Sequence, residues 1–375
     1  MQACAISMVM HTKEAIITKF AKWQILFKYM KKRVSLKDIA EKVGVSIALV
    51  SYVLNGKKIG RIGKDITQKI KAAALEMNYS GNAVARSLKT RKTFTIGLIV
   101  ADISNIFWSS LARIIEDEAE KSNYTVLFGS SDEKPEKSDK LIQVLLNHQV
   151  DGFIIAPAEN SIAQLTSLIE NEIPFVLIDR YFPEVEACHV AINNYGAAYK
   201  LVKHVVDEGF KRIGLIIFES SLFHLQERRR GYLSCLHDNQ ILFKSEWIKE
   251  VNLEDTRLSV AHAIDKLLAL PEPIEAILFA TNELSSFGLR HINTLSIKVP
   301  NDLAIISFDE SDAADLFYAP VTYMKQPLKQ IGALAIKTLL ECFENNKISK
   351  INLDAEFVKQ KSSLKKSLDN RRTMA

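Results

Sequence analysis

The stretch VSLKDIAEKVGVSIALVSYVL, residues 34–54, contains the pattern that predicts the fold of the N-terminal part. Between Ser35 and Gly44 the apolar residues recur at helical spacing, and Ser35 stands where a helix-capping side chain is expected. Gly44 can adopt a left-handed backbone conformation, which lets the chain reverse sharply after the first helix. Ser46 is positioned to cap a second helix over Ile47–Leu54. The stretch therefore predicts two short helices joined by a tight turn.

A third helix is predicted over Asp65–Met77, where apolar residues again recur at helical spacing. These three helices are the elements of a helix-turn-helix domain, whose second helix lies in the major groove of DNA. Val50 and Val53 are expected to face the core of this domain. The outward-facing positions of the second helix are expected to be Ile47, Ala48, Ser51 and Tyr52. A plain three-helix bundle that binds no nucleic acid is the alternative.

Charge is distributed unevenly along the chain, which has 375 residues and a formal net charge of +5. Between Lys31 and Lys92, 15 Lys and Arg stand against 4 Asp and Glu, a net charge of +11. From Thr93 to the end there are 30 Lys and Arg against 39 Asp and Glu, a net charge of −9. A compact basic segment beside a larger acidic one is typical of a phosphate-binding module fused to a separate domain. Charge alone leaves open that the basic residues form only a solvated surface.

On these residues the chain resembles the LacI/GalR family of transcription regulators. In the N-terminal part the resemblance rests on Val34–Asn55, on Asn78-Tyr79 and on the segment NAVARSL, Asn82–Leu88. It implies that residues 82–89 fold into a hinge helix on operator DNA and enter the minor groove together with the same helix of a second subunit. The leucine that matches Leu88 would wedge between base pairs and kink the duplex. Without the family match, a linker with one chance apolar residue is the alternative.

The recognition helix departs from the family's usual pattern. Tyr52 stands where arginine is frequent, and Leu49 stands where threonine is frequent. Ile47 and Ala48 have no polar atoms for bases, so we expect contacts with thymine methyl groups and a dependence on DNA deformability. Gly63 replaces a usual capping serine at the start of the third helix. The residues predicted to contact DNA are Ser35, Lys37, Ser46, Ile47, Ala48, Ser51, Tyr52, Asn55, Lys57, Asn82, Ala85, Arg86 and Leu88.

From Thr95 onward, strand-sized apolar runs alternate with amphipathic helical segments, which predicts parallel sheets wound by right-handed crossovers. The predicted strands are Ile96–Ala101, Thr125–Gly129, Gly152–Pro157, Phe175–Ile178, Ile213–Phe218, Ala276–Ala280 and Leu303–Phe308. Ligands of such folds bind beyond the carboxyl ends of the strands, where this chain has many polar residues. Any single one of them could instead be a turn former or a helix cap.

The family resemblance continues through this part and implies a periplasmic-binding-protein-like body of two doubly wound parallel-sheet subdomains, α/β in class, with a ligand cleft between them. Tyr323–Pro327 matches the family's return crossover, and Arg228 matches its effector-binding arginine. The residues expected to bind the effector are Asp102, Asn105, Phe107, Ser130, Asp132, Asp179, Arg180, Arg228, Asn282, Glu283 and Asp309. Arg and Asp side chains can clamp vicinal hydroxyls, and Phe107, Trp108 or Phe182 could cover an apolar sugar face. The resemblance thus implies a carbohydrate effector.

The predicted domain boundaries follow from these segments. They are an N-terminal extension at 1–32, a helix-turn-helix domain at 33–81, a hinge helix and linker at 82–93, an effector-binding and dimerisation domain at 94–363, and a basic tail at 364–375. Within 94–363, the N-subdomain is expected at about 94–192 and 323–349, and the C-subdomain at about 193–322 and 350–363. We expect translation to start at Met30, or residues 1–29 to be a disordered arm, with a short amphipathic docking helix as the alternative. The resemblance implies a homodimer. The tail lacks a leucine heptad, so we expect no tetramerising coiled coil.

Several classes of protein are disfavoured by what the sequence lacks. The four cysteines are scattered without a CxxC pair, which argues against a zinc site or a disulfide framework and suits the cytoplasm. No apolar stretch reaches the ~18–20 residues of a membrane span. We find none of the GxGxxG, P-loop, GxSxG or HExxH motifs, and we expect neither catalysis nor a cofactor nor a metal. The sequence therefore predicts a transcription regulator, most simply a repressor, that binds pseudo-palindromic double-stranded operator DNA under control of a carbohydrate. A periplasmic-type sugar-binding protein or sensor without a DNA-binding role is the alternative.

Overall fold

A computed structural model of the chain describes residues 34–55, 61–79, 92–345 and 347–365. The chain divides between Lys89 and Thr90 into two compact units. We call the described residues 34–79 the head and residues 92–365 the body. The predicted N-terminal extension and hinge helix, and all but the first two residues of the predicted basic tail, lie outside the described residues.

The head contains three helices: α1 (Leu36–Val43), α2 (Ile47–Leu54) and α3 (Lys64–Glu76). Ser35 caps α1 in a capping box with the side chain of Asp38, and Gly44 ends the helix with φ at +75°. The hydroxyl of Ser46 accepts a hydrogen bond from the backbone of Leu49 at the start of α2. These caps confirm the predicted helix starts and the tight turn between α1 and α2.

A small apolar core joins the three helices of the head. Ile39 of α1, Val50 of α2 and Ile70 of α3 are fully buried and pack in one cluster, with Val53 beside them. The prediction that Val50 and Val53 face the core is confirmed. Helix α3 begins after Gly63, which supplies no side-chain hydrogen bond to the helix start. The head is therefore held by a few aliphatic side chains and by two good caps out of three.

The first sheet of the body has the strand order β11-β5-β4-β3-β1-β2, and all its pairings are parallel. Its strands are β1 (Thr95–Val100), β2 (Thr125–Ser130), β3 (Gly152–Ile155), β4 (Phe175–Ile178), β5 (Cys188–Ile192) and β11 (Lys350–Leu353). The helices that belong with it are α4 (Ile106–Lys121), α5 (Pro135–Asn147), α6 (Ile162–Glu170) and α12 (Leu328–Cys342). Continuous apolar runs such as those of β3 and β4 are buried throughout, as parallel strands covered on both faces require.

The second sheet repeats this arrangement in the order β12-β10-β9-β8-β6-β7, with only β12 antiparallel to its neighbour. Its strands are β6 (Ile213–Phe218), β7 (Ile248–Val251), β8 (Ala276–Phe279), β9 (Ala304–Phe308), β10 (Thr322–Lys325) and β12 (Glu356–Val358). The accompanying helices are α7 (Asn194–Asp207), α8 (Phe223–Asp238), α9 (Thr256–Leu268), α10 (Asn282–Ile292) and α11 (Asp312–Leu316). Short 3-10 turns lie at Ser245–Trp247 and Lys361–Ser363.

Three connections join the two subdomains: after β5 at Asn193, after β10 at Gln326-Pro327, and after β11 at Asp354-Ala355. The predicted fold class, a helical head with an α/β body of two doubly wound subdomains, is confirmed. Two of the expected subdomain boundaries are wrong. Residues 323–325 pair with β9 in the second sheet, and residues 350–353 pair with β5 in the first. The chain therefore crosses after Lys325 and again after Leu353, because a strand adds to whichever sheet offers it a free edge.

No helix among the residues that the structure describes is long and apolar enough to cross a membrane.

Candidate effector cleft and DNA-reading helix

A cleft of about 320 Å³ lies at the carboxyl ends of the strands, between the two subdomains of the body. Ten of the eleven side chains predicted to bind the effector line it: Asp102, Asn105, Phe107, Asp132, Asp179, Arg180, Arg228, Asn282, Glu283 and Asp309. They come from both subdomains and from distant parts of the sequence. The structure thus brings together side chains that are far apart in the sequence, as the rule for ligand sites at the ends of parallel strands predicts.

Ser130 is the exception, because it is not among the residues that line the cleft. The Ser130 hydroxyl donates to a carboxylate oxygen of Asp132 at 2.7 Å and accepts from the backbone of Ile103 at 3.2 Å. It lies one residue before the loop that carries the cleft carboxylate. Ser130 therefore orients Asp132 and does not line the cleft.

Arg228 on α8 is the most completely enclosed cation of the cleft, with only 2% of its surface exposed. Its Nε donates to the side-chain oxygen of Asn194 at 2.8 Å, and one terminal nitrogen donates to the carbonyl of Ala280 at 2.6 Å. The guanidinium carbon lies 3.9 Å from the ring centroid of Phe308. Burial lowers the pKa of Arg228 from its ordinary value, and the nearby Asp309 carboxylate opposes that shift. The side chain is thus fixed in one orientation before any ligand enters.

The glycine three residues after Arg228 explains how the arginine reaches this position. A Cβ at Gly231 would lie 2.3 Å from the carbonyl oxygen of Tyr195 on α7. Only glycine lets α8 approach α7 this closely. This approach brings Arg228 within hydrogen-bond distance of Asn194, the first residue of α7.

Two buried aspartates occupy equivalent positions in the two subdomains. Asp179 follows β4 and Asp309 follows β9, and both have a left-handed backbone, with φ at +63° and +66°. The amide of Gln326, at a subdomain crossover, donates to Asp309 at 2.8 Å and lies 3.4 Å from Asp179. Burial raises the pKa of Asp309 to about 6, and the charge of Asp179 raises it further while Arg228 opposes the shift. Burial also raises the pKa of Asp179.

Contacts across the cleft hold the two subdomains together. The side-chain amides of Asn105 and Asn282 exchange reciprocal hydrogen bonds at 2.9 and 3.3 Å. The Glu159 carboxylate of the first subdomain accepts from the backbone and hydroxyl of Ser221 in the second, and from the hydroxyl of Ser220 at 3.0 Å. Every one of these contacts spans the opening. The body is thus in a closed conformation.

Arg180, directly after Asp179, lies on the opposite wall from Arg228. Its two terminal nitrogens donate to the carboxylate of Glu133 at 2.6 and 2.8 Å. Its guanidinium carbon lies 5.3 Å from the Trp108 ring centroid. Burial raises the pKa of Glu283, and the negative charges of the nearby Asp102 and Glu133 raise it further.

Three side chains that line the cleft each hold a buried polar atom without a hydrogen-bond partner in the protein. These atoms are Nε of Arg180, Nδ1 of His224 and Oε1 of Gln326. Buried polar atoms are normally paired, because leaving one unpaired costs about 1–3 kcal/mol. Burial and the two nearby arginines hold the pKa of His224 well below its usual range, so its imidazole is neutral. A ligand with hydroxyl groups can satisfy all three.

Acidic side chains outnumber basic side chains on the cleft wall. Seven carboxyl groups line it, those of Asp102, Asp132, Glu133, Glu159, Asp179, Glu283 and Asp309. Two guanidinium groups, Arg180 and Arg228, oppose them. Such a wall disfavours an anionic ligand such as a sugar acid or a sugar phosphate.

Sequence reasoning missed several residues of this wall. Glu133, Glu159 and His224 lie on loops or at a helix start, where no strand-end signal marks them. Gln326 was identified only as part of a crossover, although a polar side chain at a crossover is a signal for cleft exposure. Phe182, one of three aromatic candidates for the sugar face, packs in a separate apolar cluster, whereas Phe107 and Trp108 do line the cleft.

In the head, two of the four side chains of α2 that are predicted to read DNA are exposed to solvent. Ile47 is 48% exposed and Ala48 is exposed, while Ser51 and Tyr52 are half-buried. Ser35 and Ser46 cap helices, Asn55 donates to the Ser51 carbonyl at 2.7 Å, and Lys37 is paired with Glu41 on the solvent side. The remaining predicted DNA contacts, Lys57, Asn82, Ala85, Arg86 and Leu88, lie outside the described residues.

Among the described residues, no group of three or more His, Cys, Asp or Glu side chains is arranged to hold a metal ion. The cleft carboxylates are dispersed over both walls, and most of them are paired with arginine, lysine, serine or amide groups.

Comparison with known proteins links both parts to one family. Residues 35–82 match the bacterial regulatory proteins of the lacI family. Residues 93–361 match the periplasmic binding proteins and sugar binding domain of the LacI family. The two matches lie in the same order as the head and the body.

Curated relatives match most of the chain. Catabolite control protein A of Priestia megaterium is 31% identical over 308 residues, which are 82% of this chain and 91% of that protein. The ribose operon repressor of Haemophilus influenzae is 28% identical over 311 residues, 83% of this chain and 92% of that protein. Among solved structures, the lac repressor dimer bound to operator and an anti-inducer superposes with a TM-score of 0.79 at 22% identity, over 89% of this chain and all of that one.

Proposed function

Because the chain belongs to the LacI family of bacterial regulatory proteins, we propose that it is a transcriptional repressor whose operator affinity is controlled by a small molecule. Its action would be binding and not catalysis, in the cytoplasm, as a homodimer on a pseudo-palindromic site. The observation that carries the proposal is the joint presence of an open reading helix in the head and, in the body, a cleft with three unpaired buried polar atoms.

In this proposal α2 enters the major groove, with Ile47 and Ala48 against thymine methyl groups. Exposed lysines of the head neutralise phosphates, so salt weakens binding steeply. The apolar character of the reading face makes sequence discrimination depend on methyl contacts and on the ease of bending the duplex. Residues 82–89 serve as the hinge helix, as the family resemblance implies.

The effector in this proposal is a neutral polyhydroxylated molecule of sugar size. Arg180, Arg228 and the carboxylates clamp its hydroxyls, and Phe107 and Trp108 cover an apolar face. The seven carboxyl groups of the wall disfavour sugar acids and sugar phosphates. A cleft of about 320 Å³ has room for a mono- or disaccharide.

Control arises from differential binding of the effector to two arrangements of the subdomains. A ligand that changes the Asn105–Asn282 and Glu159–Ser221 contacts shifts the two halves of the body relative to each other. A coupling free energy of about 1–3 kcal/mol between cleft and operator is enough to change promoter occupancy usefully.

The effector half of the proposal is tested by thermal shift of the full-length protein against neutral sugars, sugar acids, sugar phosphates and purines. We expect a neutral sugar to raise the Tm, because a ligand that binds only the folded state stabilises it by about 2.7 kcal/mol at a hundredfold excess over Kd. A sugar phosphate that raises the Tm more than any neutral sugar would contradict the effector class. The active compound is then added to operator-retention assays, where it must change DNA binding.

The DNA half is tested with duplexes selected from random sequence by the full-length protein, using fluorescence anisotropy at several salt concentrations. We expect Ile47→Ala to weaken binding to the selected duplex by about fivefold or more, since a lost base contact costs about 1–3 kcal/mol. Leu75→Ala is the matched control, because Leu75 is 81% exposed on α3 and has no place in the reading face. Failure of the selection to enrich any palindrome, or equal effects of both substitutions, counts against the proposal.

A further inference from the structure

Two cysteines of the first subdomain meet at the amino ends of the strands, on the side of the sheet away from the cleft. Cys188 is the first residue of β5 and Cys342 the last residue of α12, so 154 positions separate them in the chain. Their sulfur atoms lie 3.4 Å apart, and both thiols are free. Nothing in the effector cleft or the reading helix uses them.

The sulfur of Cys188 has further polar contacts in the loop that leads into β11. It accepts from the backbone N–H of Ser349 at 3.4 Å, and as a thiol it donates to the carbonyl oxygen of Lys347 at 3.6 Å. An N–H donor and a neighbouring thiol both stabilise a thiolate more than a thiol. Cys188 itself is 5% exposed, while Cys342 is only half-buried, so a small reagent can approach the pair from the helix end.

We propose that Cys188 and Cys342 are a reversible oxidation site that forms an intramolecular disulfide with a hydroperoxide as oxidant. The sulfurs lie 3.4 Å apart and must approach to about 2.05 Å, a further ~1.4 Å, to form the bond. The bond joins the start of β5 to the end of α12. It does not depend on the identity of the effector or the operator.

The chemistry balances with these two side chains and the peroxide. The Cys188 thiolate attacks one peroxide oxygen, the O–O bond breaks, and the alcohol or water leaves with a proton, which leaves a sulfenic acid on Cys188. The Cys342 sulfur then attacks the Cys188 sulfur and displaces water. Two thiols lose two electrons in total and the hydroperoxide gains them. A dithiol reverses the reaction by thiol–disulfide exchange.

The electrostatics of the pair agree with this division of roles. Hydrogen bonding from Cys342, reinforced by the Ser349 backbone, lowers the pKa of Cys188 to about 6 although burial opposes the shift. The same hydrogen bond raises the pKa of Cys342, so Cys342 keeps the proton. Cys235 on α8 differs, because burial raises its pKa to about 12. Among the three described cysteines, the Ser349 N–H and the neighbouring thiol therefore favour Cys188 as the sulfur that attacks first.

A covalent link at this place reaches the beginning of the body. Phe343 follows Cys342 directly, and its ring stacks near Tyr124 at 5.8 Å between centroids. The ammonium of Lys92, the first described residue of the body, lies 5.4 Å from the Phe343 ring centroid. Oxidation thus fixes the helix end against which the first residues of the body pack.

The test uses the full-length protein with Cys4→Ser as the background, treated with hydrogen peroxide at pH 7, denatured, alkylated with a maleimide and weighed intact. Three thiols, Cys188, Cys235 and Cys342, are alkylated before oxidation. We expect one adduct afterwards, a mass about 2 Da lower before alkylation, and recovery of three adducts with dithiothreitol. Peptide mapping of the oxidised Cys4→Ser protein, in which both cysteines are intact, must show a disulfide between Cys188 and Cys342.

Three variants and a pH series complete the design. Cys188→Ser and Cys342→Ser must each abolish the cross-link, whereas Cys235→Ser must leave its rate unchanged. The rate should fall by about tenfold per pH unit below about 6, as the thiolate of Cys188 is lost. Three adducts after peroxide treatment, or a cross-link that includes Cys235, overturns the proposal.

Discussion

The head and the body present their functional side chains in opposite ways. In the head, Ile47 and Ala48 of α2 are exposed, on a surface supported by a small aliphatic core. In the body, Arg228, Asp179 and Asp309 are almost completely buried. The amide of Gln326 contacts both aspartates, and Arg228 is held separately by Asn194. The head presents an exposed surface suited to a large, charged partner such as DNA. The body encloses a preformed cleft suited to a small molecule.

This difference shows where each part stores free energy. Buried, mutually repelling carboxyl groups and unpaired polar atoms raise the free energy of the empty cleft, and a ligand that pairs with them recovers it. The head contains no comparable strain among its described residues, since its reading face is solvated and its core is apolar. Substitutions in the cleft should therefore change stability strongly and in both directions, while those on the head's helices should have small effects.

The largest effect is expected from Arg228→Ala. The substitution removes the buried cation near Asp309 and one of the two buried arginines near Asp179, and it should lower the free energy of unfolding of the body by about 3–5 kcal/mol. Urea denaturation followed by far-UV circular dichroism measures the change. Arg229→Ala is the matched control, because the neighbouring Arg229 pairs with Glu250 at the surface. A loss no larger than that of the control would remove the contrast between the two regions.

A smaller effect of the opposite sign is expected from Asp309→Asn. The pKa of Asp309 is raised to about 6 in the folded protein from an ordinary 3.8. Below about pH 4 this carboxyl is protonated in the folded and the unfolded protein and costs no stability. As pH rises from about 4 through 6, the free energy of unfolding falls, because the folded protein resists ionisation of Asp309. The asparagine cannot ionise, tolerates the left-handed backbone and still accepts from Gln326. At pH 7 the variant should be more stable by about 2–3 kcal/mol, since one pKa unit corresponds to about 1.4 kcal/mol.

Denaturant titrations of wild type and variant at pH 4, 5, 6 and 7 measure this difference. It should be small at pH 4 and should grow to a plateau above pH 6, while ligand binding by the variant is weakened. Asp139→Asn, at an exposed position of α5, is the control and should show no such growth. A difference that is constant over the whole range would mean that Asp309 is not a strained carboxylate.

The smallest effect is expected in the head, from Gly63→Ser. The third helix starts without a side-chain cap, the backbone of Gly63 has φ at −55°, and a Cβ there meets nothing within 4 Å. Serine should supply the missing hydrogen bond and raise the free energy of unfolding of the head by a few tenths of a kcal/mol. Ser35→Ala measures the same interaction in the opposite sense, at about 1 kcal/mol, because Ser35 has a full capping box. A destabilising Gly63→Ser would show that the head, too, contains strain.

The sequence predicted the head and most of the sheet strands because their patterns are local. Caps, helical spacing and continuous apolar runs all act within about ten residues, and each is visible without knowing the fold. The strand β5, which contains His189 and Cys188, and the edge strand β11, KINL, lack such a run, and both were missed. Their pairing is decided by the free edge of a sheet already formed, which no local pattern records.

The cleft was predicted well where a strand end marked it and poorly elsewhere. Asp179 and Asp309 follow apolar runs directly, so the rule for parallel sheets identified them. Glu159 and Gln326 reach the cleft only because the two subdomains close on each other, and Cys188 and Cys342 meet only through the return of α12 to the first sheet. Contacts between segments 150 residues apart need the three-dimensional fold before they can be seen.

The reciprocal amide pair of Asn105 and Asn282 has a kinetic consequence. We expect a ligand to reach Arg228 only after these two side chains have separated, and the rate of that separation does not depend on ligand concentration. In a stopped-flow mixing experiment the observed rate of ligand binding should therefore rise with ligand concentration and then level off at the rate at which Asn105 and Asn282 separate. Under the proposed function, the separation of these two asparagines would then set the maximum rate at which the protein responds to its effector.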